Sequence, residues 1–215
     1  MTETSAPTPA KKKHLSMLRT FAPADGVTMI NAACGTGAIL ASVRYAATHD
    51  GRFAWAAFVL LPIALVADIL DGWVARRTKR SSVLGADLDS LADVISFGAA
   101  PAVLAFALGL DGGWDALVLV YFVACGISRL ARYNATHDAL TDGATGKVRY
   151  YEGTPIPTSL VLVGMLGIAF GLGATGERLW LGVLALGPLS LHPLVLLFAL
   201  SGSAMVSGSL RIPKP

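Results

Sequence analysis

The sequence has little charge for its length. Asp, Glu, Lys and Arg make up 14% of its 215 residues, whereas 54% are hydrophobic and the mean hydropathy is +0.61. A soluble domain carries about 25% charged residues, so the composition argues against a soluble globular protein. It predicts a single domain that crosses a membrane several times. The net charge of +3 is small, and no nucleic-acid partner is expected.

Cysteine is also scarce, since the chain has two. Cys34 and Cys125 stand singly in apolar runs, which excludes a CxxC motif and indicates reduced packing residues. The N-terminus lacks the apolar run of a cleavable signal peptide. Because it is rich in Thr, Pro and Lys, residues 1–14 are predicted to be a disordered cytoplasmic tail, and 15–215 a membrane domain. Residues 15–21 are a candidate interfacial helix.

Long apolar runs, in contrast, are plentiful. A helix needs about 20 mostly apolar residues to cross a bilayer, and the sequence predicts an all-α integral membrane protein with six such helices. Residues 179–186 are too short to cross alone and are predicted to lie in an outer loop or to extend the sixth helix. The six predicted spans are 26–47, 53–74, 84–108, 114–130, 156–174 and 189–210.

The distribution of basic residues predicts the orientation. Fourteen of the 17 Lys and Arg residues fall in the termini and in the loops after the second and fourth spans. The other side holds Arg44, Arg52 and Arg178. Because basic loops stay in the cytoplasm, both termini are predicted to be cytoplasmic, in the inner membrane if the protein is prokaryotic.

Four carboxylates interrupt the apolar pattern. Asp68 and Asp71 lie near the end of the second span, and Asp89 and Asp93 lie in the first turns of the third. Intramembrane carboxylates are costly and indicate a functional site, and residues three or four apart share one helix face. The short loop makes the two helices antiparallel neighbours. The pattern therefore predicts a site for two divalent cations, Mg²⁺ or Mn²⁺, which suits phosphoryl transfer.

Small and basic residues accompany these carboxylates. Gly72 and Ala75 lie on the same face of the second span as Asp68. Gly85 lies one turn before Asp89 in the third span. Small side chains let a ligand or a neighbouring backbone approach closely. Arg76, at the membrane edge, could pair with a phosphate group.

Together these residues form the pattern D-x2-D-G-x2-A-R-x8-G-x3-D-x3-D, and the chain resembles the CDP-alcohol phosphotransferases at every fixed position. The resemblance implies a six-helix membrane domain, usually a homodimer, with a polar cavity open to the cytoplasm. It implies transfer of a substituted phosphate from a CDP-linked donor to an alcohol, with release of CMP. It also implies metal ligands at Asp68, Asp71 and Asp89, a catalytic base at Asp93 near the second metal, and a CDP site formed by Asp68, Gly72, Ala75, Arg76 and Gly85.

Four further segments, 88–102, 128–134, 147–158 and 205–215, resemble the phosphatidylserine synthase branch of that family. This resemblance implies CDP-diacylglycerol and L-serine as substrates in a lipid membrane. Thr28 and Asn31 fit a polar patch in the first span that is seen across the wider family. Serine needs a cation for its carboxylate and an anion or carbonyl for its ammonium group, and the candidates are Arg129, Arg132, Arg149 and Glu152.

Other interpretations stay open at this point. The two arginines of the fourth span could anchor lipid headgroups, and Glu152 could pair with an arginine. The acceptor could be glycerol 3-phosphate or an inositol phosphate, although these would favour a stronger basic cluster. A non-enzymatic cation transporter or channel would need carboxylates across the whole bilayer, and the outer halves of the spans are expected to lack Asp and Glu. His49 and His192 are expected near the outer side, as poor ligand candidates.

Overall fold

The computed structural model describes residues 23–78, 85–141, 150–207 and 211–213. Within these ranges the chain is mostly helical. The predicted N-terminal tail and the candidate interfacial helix lie outside the described residues. The helices are α1 (Pro23–Thr48), α2 (Gly51–Thr78), α3 (Gly85–Asp93), a π-helical turn (Val94–Ala99), α4 (Ala100–Ala107), α5 (Gly113–Thr141), α6 (Ser159–Gly171) and α7 (Leu196–Val206).

Four helical segments are long and apolar enough to cross a membrane, as an integral membrane protein requires. They are Pro23–Thr48, Gly51–Thr78, Gly85–Ala107 and Gly113–Ala135, which confirms the first four predicted spans. The last two apolar helices, Ile156–Gly171 and Pro193–Val206, are shorter than predicted. Gly173 and Gly176 adopt positive φ angles just after α6, a conformation that glycine tolerates and that ends a helix.

The third span is composite. It runs through α3, the π-helical turn and α4, and Pro101 stands at the start of α4. Proline has no N–H to donate to the preceding turn and clashes with its carbonyl. A wider π-helical turn is a common accommodation of such a defect, and such turns occur often at functional sites. Here the π-helical turn begins directly after Asp93.

Helix packing in the core relies on small and aromatic side chains. Ala38, Ala54 and Ala57 are fully buried where α1 lies along α2, because small residues let helix backbones approach closely. Phe122 of α5 and Phe198 of α7 pack edge to face with ring centroids 5.3 Å apart. Large apolar side chains on the outer faces of the helices stay exposed, as expected of surfaces in contact with lipid.

Residues 179–186 lie in the connection between α6 and α7, so the prediction that they extend the last helix was wrong. Residues 179–183 are irregular, as the loop alternative predicts, but residues 184–186 form a strand. Strand β2 (Leu184–Leu186) pairs with β3 (Leu189–Leu191) in an antiparallel hairpin. The two connecting residues are Gly187, whose φ is +68°, and Pro188. Glycine at the first position of a two-residue turn is typical of hairpins. A second pair joins β1 (Tyr150–Glu152) to β4 (Arg211–Pro213).

One acidic residue contradicts the expectation that the outer halves of the spans lack Asp and Glu. Asp115 is fully buried in the first turn of α5, at the end of the bundle opposite the four carboxylates. It accepts hydrogen bonds from the backbone N–H groups of Gly112 and His192, and its Oδ2 lies 2.6 Å from His192 Nδ1. These contacts engage both carboxylate oxygens and tie α5 to the end of the hairpin.

Candidate functional site

Three carboxylates meet where α2 ends and α3 begins. One oxygen from each of Asp68, Asp71 and Asp89 lies within 4.8 Å of the other two. Asp71 is buried, and Asp68 and Asp89 are half-buried. The structure therefore brings together three of the four carboxylates singled out by their spacing, and we call them the three-carboxylate group.

Asp93 lies beside this group, one helical turn beyond Asp89. Its side chain is mostly buried, and its carboxyl contacts that of Asp68. Two unit charges about 5 Å apart repel by ~3 kcal/mol at an effective dielectric constant of about 20. Four neighbouring carboxylates therefore favour the binding of a positive ion between them.

The donor set fits a hard divalent cation, because Mg²⁺ and Mn²⁺ prefer carboxylate oxygens. A second observation agrees with this fit. Asp89 Oδ1 is buried and has no hydrogen-bond partner among the described residues, and a buried carboxylate oxygen without a partner is costly. A cation held by the three-carboxylate group would satisfy that oxygen.

Helix α1 supports two of the carboxylates. Thr28 Oγ1 donates a 2.7 Å hydrogen bond to Asp71 Oδ2, and Asn31 Nδ2 donates a 3.3 Å hydrogen bond to Asp93 Oδ1. Both α1 side chains are buried. The sequence placed them in a polar patch but did not connect them with the carboxylates. Their spacing of three residues on one face of an apolar helix is the signal that could have done so.

The residues predicted to bind CDP lie at the end of α2 and the start of α3. Gly72, Ala75 and Gly85 are half-buried, and Arg76 is exposed. A Cβ atom at Gly72 would stand 3.2 Å from an Arg76 guanidinium nitrogen, so the arginine folds back over this glycine. The position suits a phosphate next to the three-carboxylate group, and the role of these residues stays a prediction.

The residues predicted to bind the acceptor are described only in part. Arg129 and Arg132 belong to the end of α5 that lies at the carboxylate end of the bundle, and Arg129 is half-buried. Ser90 of α3 and Asn134 of α5 exchange side-chain hydrogen bonds of 3.0 and 3.3 Å, which hold the two helices together there. Arg149 lies outside the described residues. Glu152 belongs to β1, where its backbone pairs with that of Arg211.

Comparison with known proteins gives two results. The sequence model of the CDP-alcohol phosphatidyltransferase family matches residues 21–190. Among curated proteins, the CDP-diacylglycerol–serine O-phosphatidyltransferase of Saccharomyces cerevisiae is 42% identical over 206 residues, which cover 94% of this chain and 74% of that protein.

Two further relatives match over a shorter stretch. The archaetidylserine synthase of Methanothermobacter thermautotrophicus is 39% identical over 142 residues, 65% of this chain and 54% of that protein. The CDP-diacylglycerol–serine O-phosphatidyltransferase of Mycobacterium leprae is 38% identical over 139 residues, 63% of this chain and 44% of that protein. The match thus spans about half the length of these two relatives.

Proposed function

The chain belongs to the CDP-alcohol phosphatidyltransferase family, and from this premise we propose that it transfers a phosphatidyl group from CDP-diacylglycerol to the hydroxyl of L-serine. The products are phosphatidylserine and CMP. The three-carboxylate group is the observation that carries the proposal, because it supplies the oxygen ligands that phosphoryl transfer with divalent cations needs.

Serine is favoured as the acceptor by the names of the relatives. Two of the three are named as serine O-phosphatidyltransferases, and the third as an archaetidylserine synthase. These names differ in the lipid and agree in serine. For this chain we propose a serine site formed by Arg129, Arg132 or Arg149 for the carboxylate and by Glu152 for the ammonium group.

The proposed metal ligands are Asp68, Asp71 and Asp89, with Asp93 near a second ion, and the ions are Mg²⁺ or Mn²⁺. When bound, such ions neutralise the pyrophosphate charge and assist the departure of CMP. Gly72 and Ala75, together with Gly85 and Arg76 at the same end of the helices, would hold the CDP moiety. The acyl chains of the donor can then remain in the bilayer.

The proposed reaction uses Asp93 as the general base. Its carboxylate takes the proton of the serine hydroxyl, and the serine oxygen forms a bond to the phosphorus atom that bears the lipid. The bond from that phosphorus to the CMP oxygen breaks, and CMP leaves with the electron pair. The protein contributes mainly by positioning and by charge stabilisation.

A radiolabel assay tests the proposal. Purified protein in lipid vesicles containing CDP-diacylglycerol receives labelled L-serine with Mn²⁺ or Mg²⁺, and labelled lipid and CMP are measured. We expect equal amounts of both products, and loss of both when EDTA removes the cations. Release of CMP with glycerol 3-phosphate or an inositol phosphate, but not with serine, would refute the serine assignment and keep the reaction class.

The proposal extends to topology and assembly. Arg76, Arg77, Arg129 and Arg132 lie at the same end of the described helices as the carboxylates, which supports a cytoplasmic site and cytoplasmic termini, in the inner membrane if the protein is prokaryotic. A homodimer follows from the family resemblance. Labelling of single introduced cysteines from each side of the membrane tests the orientation. The mass of the detergent-solubilised protein tests the homodimer.

A further inference from the structure

Asn31 of α1 contacts both Asp93, the proposed base, and Ser96, which lies in the π-helical turn that follows it. Its side-chain Nδ2 donates to Asp93 Oδ1 over 3.3 Å, and its backbone oxygen accepts a 3.0 Å hydrogen bond from Ser96 Oγ. Ser96 lies in the π-helical turn, three residues after Asp93, and both Asn31 and Ser96 are fully buried. One residue of α1 therefore holds the carboxyl group and the turn that follows it.

The backbones of α1 and the π-helical turn are in close contact here. Gly35 lies one turn after Asn31, and a Cβ atom at this position would stand 2.7 Å from the Cα of Ser96. Any larger residue would force the two segments apart. The hydrogen bonds of Asn31 thus join two segments that are already packed backbone to backbone, so the position of Asp93 is fixed relative to α1.

We propose that Asn31, supported by Ser96, is a positioning residue that sets the orientation of the Asp93 carboxyl group for proton transfer from the acceptor. The inference rests on the proposed function. A carboxylate rotates freely about its last bond unless an oxygen is held. Because Asn31 engages Oδ1, rotation of the Asp93 carboxyl group is restricted, and its two oxygens keep a fixed position relative to α1. A neutral amide does this without adding a charge next to the metal ligands.

The test compares three substitutions with a matched control on the same helix. Asn31→Ala removes the donor, Asn31→Asp keeps the shape but replaces the donor with an acceptor, and Ser96→Ala removes the second hydrogen bond. The control is Ser42→Ala, since Ser42 is also fully buried in α1 but bonds to Ala38 O of its own helix. The measurements are kcat and KM for each substrate, the Mn²⁺ dissociation constant, and thermal stability in detergent.

We expect Asn31→Ala to lower kcat by about 10- to 100-fold, because a small displacement of a reacting group has effects of this size. Asn31→Asp should lower it at least as much, and Ser96→Ala less. KM for CDP-diacylglycerol and the Mn²⁺ dissociation constant should stay within about twofold of the wild type, as in Ser42→Ala. A purely structural role would instead lower thermal stability and change all parameters together.

Two results would overturn the inference. Equal kcat values for Asn31→Ala and Ser42→Ala would show that Asp93 does not need the hydrogen bond. A raised KM for CDP-diacylglycerol with an unchanged kcat would show that Asn31 touches the donor. If Asn31→Ala does not fold, Asn31→Asp and Ser96→Ala decide the matter. Failure of the proposed function is recognised separately, since the wild type would then use another acceptor, and the same variants are measured with that acceptor.

Discussion

Thr28 allows one hydrogen bond to the three-carboxylate group to be removed with little change in shape. Its hydroxyl lies 2.7 Å from Asp71 Oδ2, and both residues are buried. Valine has nearly the same shape as threonine but lacks the donor. Groups that hold a metal ligand in place typically contribute 10- to 100-fold to metal affinity. We therefore expect Thr28→Val to weaken Mn²⁺ binding by about this factor.

The weaker Mn²⁺ binding expected of Thr28→Val can also be measured as a smaller stabilisation of the folded protein by Mn²⁺. A cation at 100 times its dissociation constant stabilises the folded protein by ~2.7 kcal/mol, and a tenfold weaker site reduces this to ~1.4 kcal/mol at the same concentration. Titration of Mn²⁺ by calorimetry or electron paramagnetic resonance gives the affinity. Thermal unfolding with and without Mn²⁺ gives the stabilisation independently.

Two controls distinguish the loss of the Thr28 hydroxyl from a general disturbance of helix α1. Thr28→Ser keeps the donor and should bind Mn²⁺ nearly as the wild type does, while Ser42→Ala removes a hydroxyl of the same helix that lies away from the carboxylates. If Thr28→Val binds Mn²⁺ as tightly as Thr28→Ser, Asp71 is not a ligand oriented by α1. The proposed role of Thr28 in metal binding would then be refuted, whereas the proposed metal site would still rest on the three-carboxylate group.

Three further experiments, two of them with a matched control substitution, test other parts of the structure. Asp93→Asn should abolish transfer but largely keep CDP-diacylglycerol binding in a vesicle assay, and normal turnover would refute its role as base. Gly153→Ala should lower thermal stability more than Gly173→Ala, because both positions have positive φ but only the first would meet a backbone carbonyl of α7; equal losses would contradict this packing. Asp115→Ala, which leaves two buried backbone N–H groups and His192 Nδ1 without their partner, should cost more than ~2 kcal/mol in denaturant unfolding, whereas Asp50→Ala, which breaks an exposed pair, should cost much less. Similar costs for the two would refute the structural role of the buried pair.

The grouping of carboxylates at the end of α2 and the start of α3 could be predicted from sequence, because it depends on residues close together in the chain. The spacing of Asp68, Asp71 and Asp89 sets their helix faces, and the short connection keeps the end of α2 near the start of α3. The hairpin of β2 and β3 was also within reach, since Gly187-Pro188 between two apolar triplets is a turn signal. The apolar run alone does not distinguish a loop from a pair of strands, and the Gly-Pro turn is the signal that does.

The contribution of α1 could not be predicted in the same way. Thr28 is 43 residues from Asp71, and Asn31 is 62 residues from Asp93. Periodicity shows which face of a helix is polar, but it does not show which other helix that face meets. That choice depends on close packing such as the contact of Gly35 with Ser96, which involves two backbones far apart in sequence.

The packing of the π-helical turn has a consequence for acceptor specificity. The side chain of Ile156 lies 3.8 Å from the position of a Cβ atom at Gly98 in this turn, and 2.8 Å from one at Gly126 of α5. Ile156 is buried and follows β1, the strand that contains Glu152. Through Ile156, the segment proposed to contact the acceptor therefore packs against the π-helical turn that follows Asp93. Because packed cores transmit small displacements, replacing residues 150–158 to change the acceptor should also change kcat with the original one. An unchanged kcat in such a replacement would contradict the predicted coupling of acceptor binding to the placement of Asp93 through Ile156.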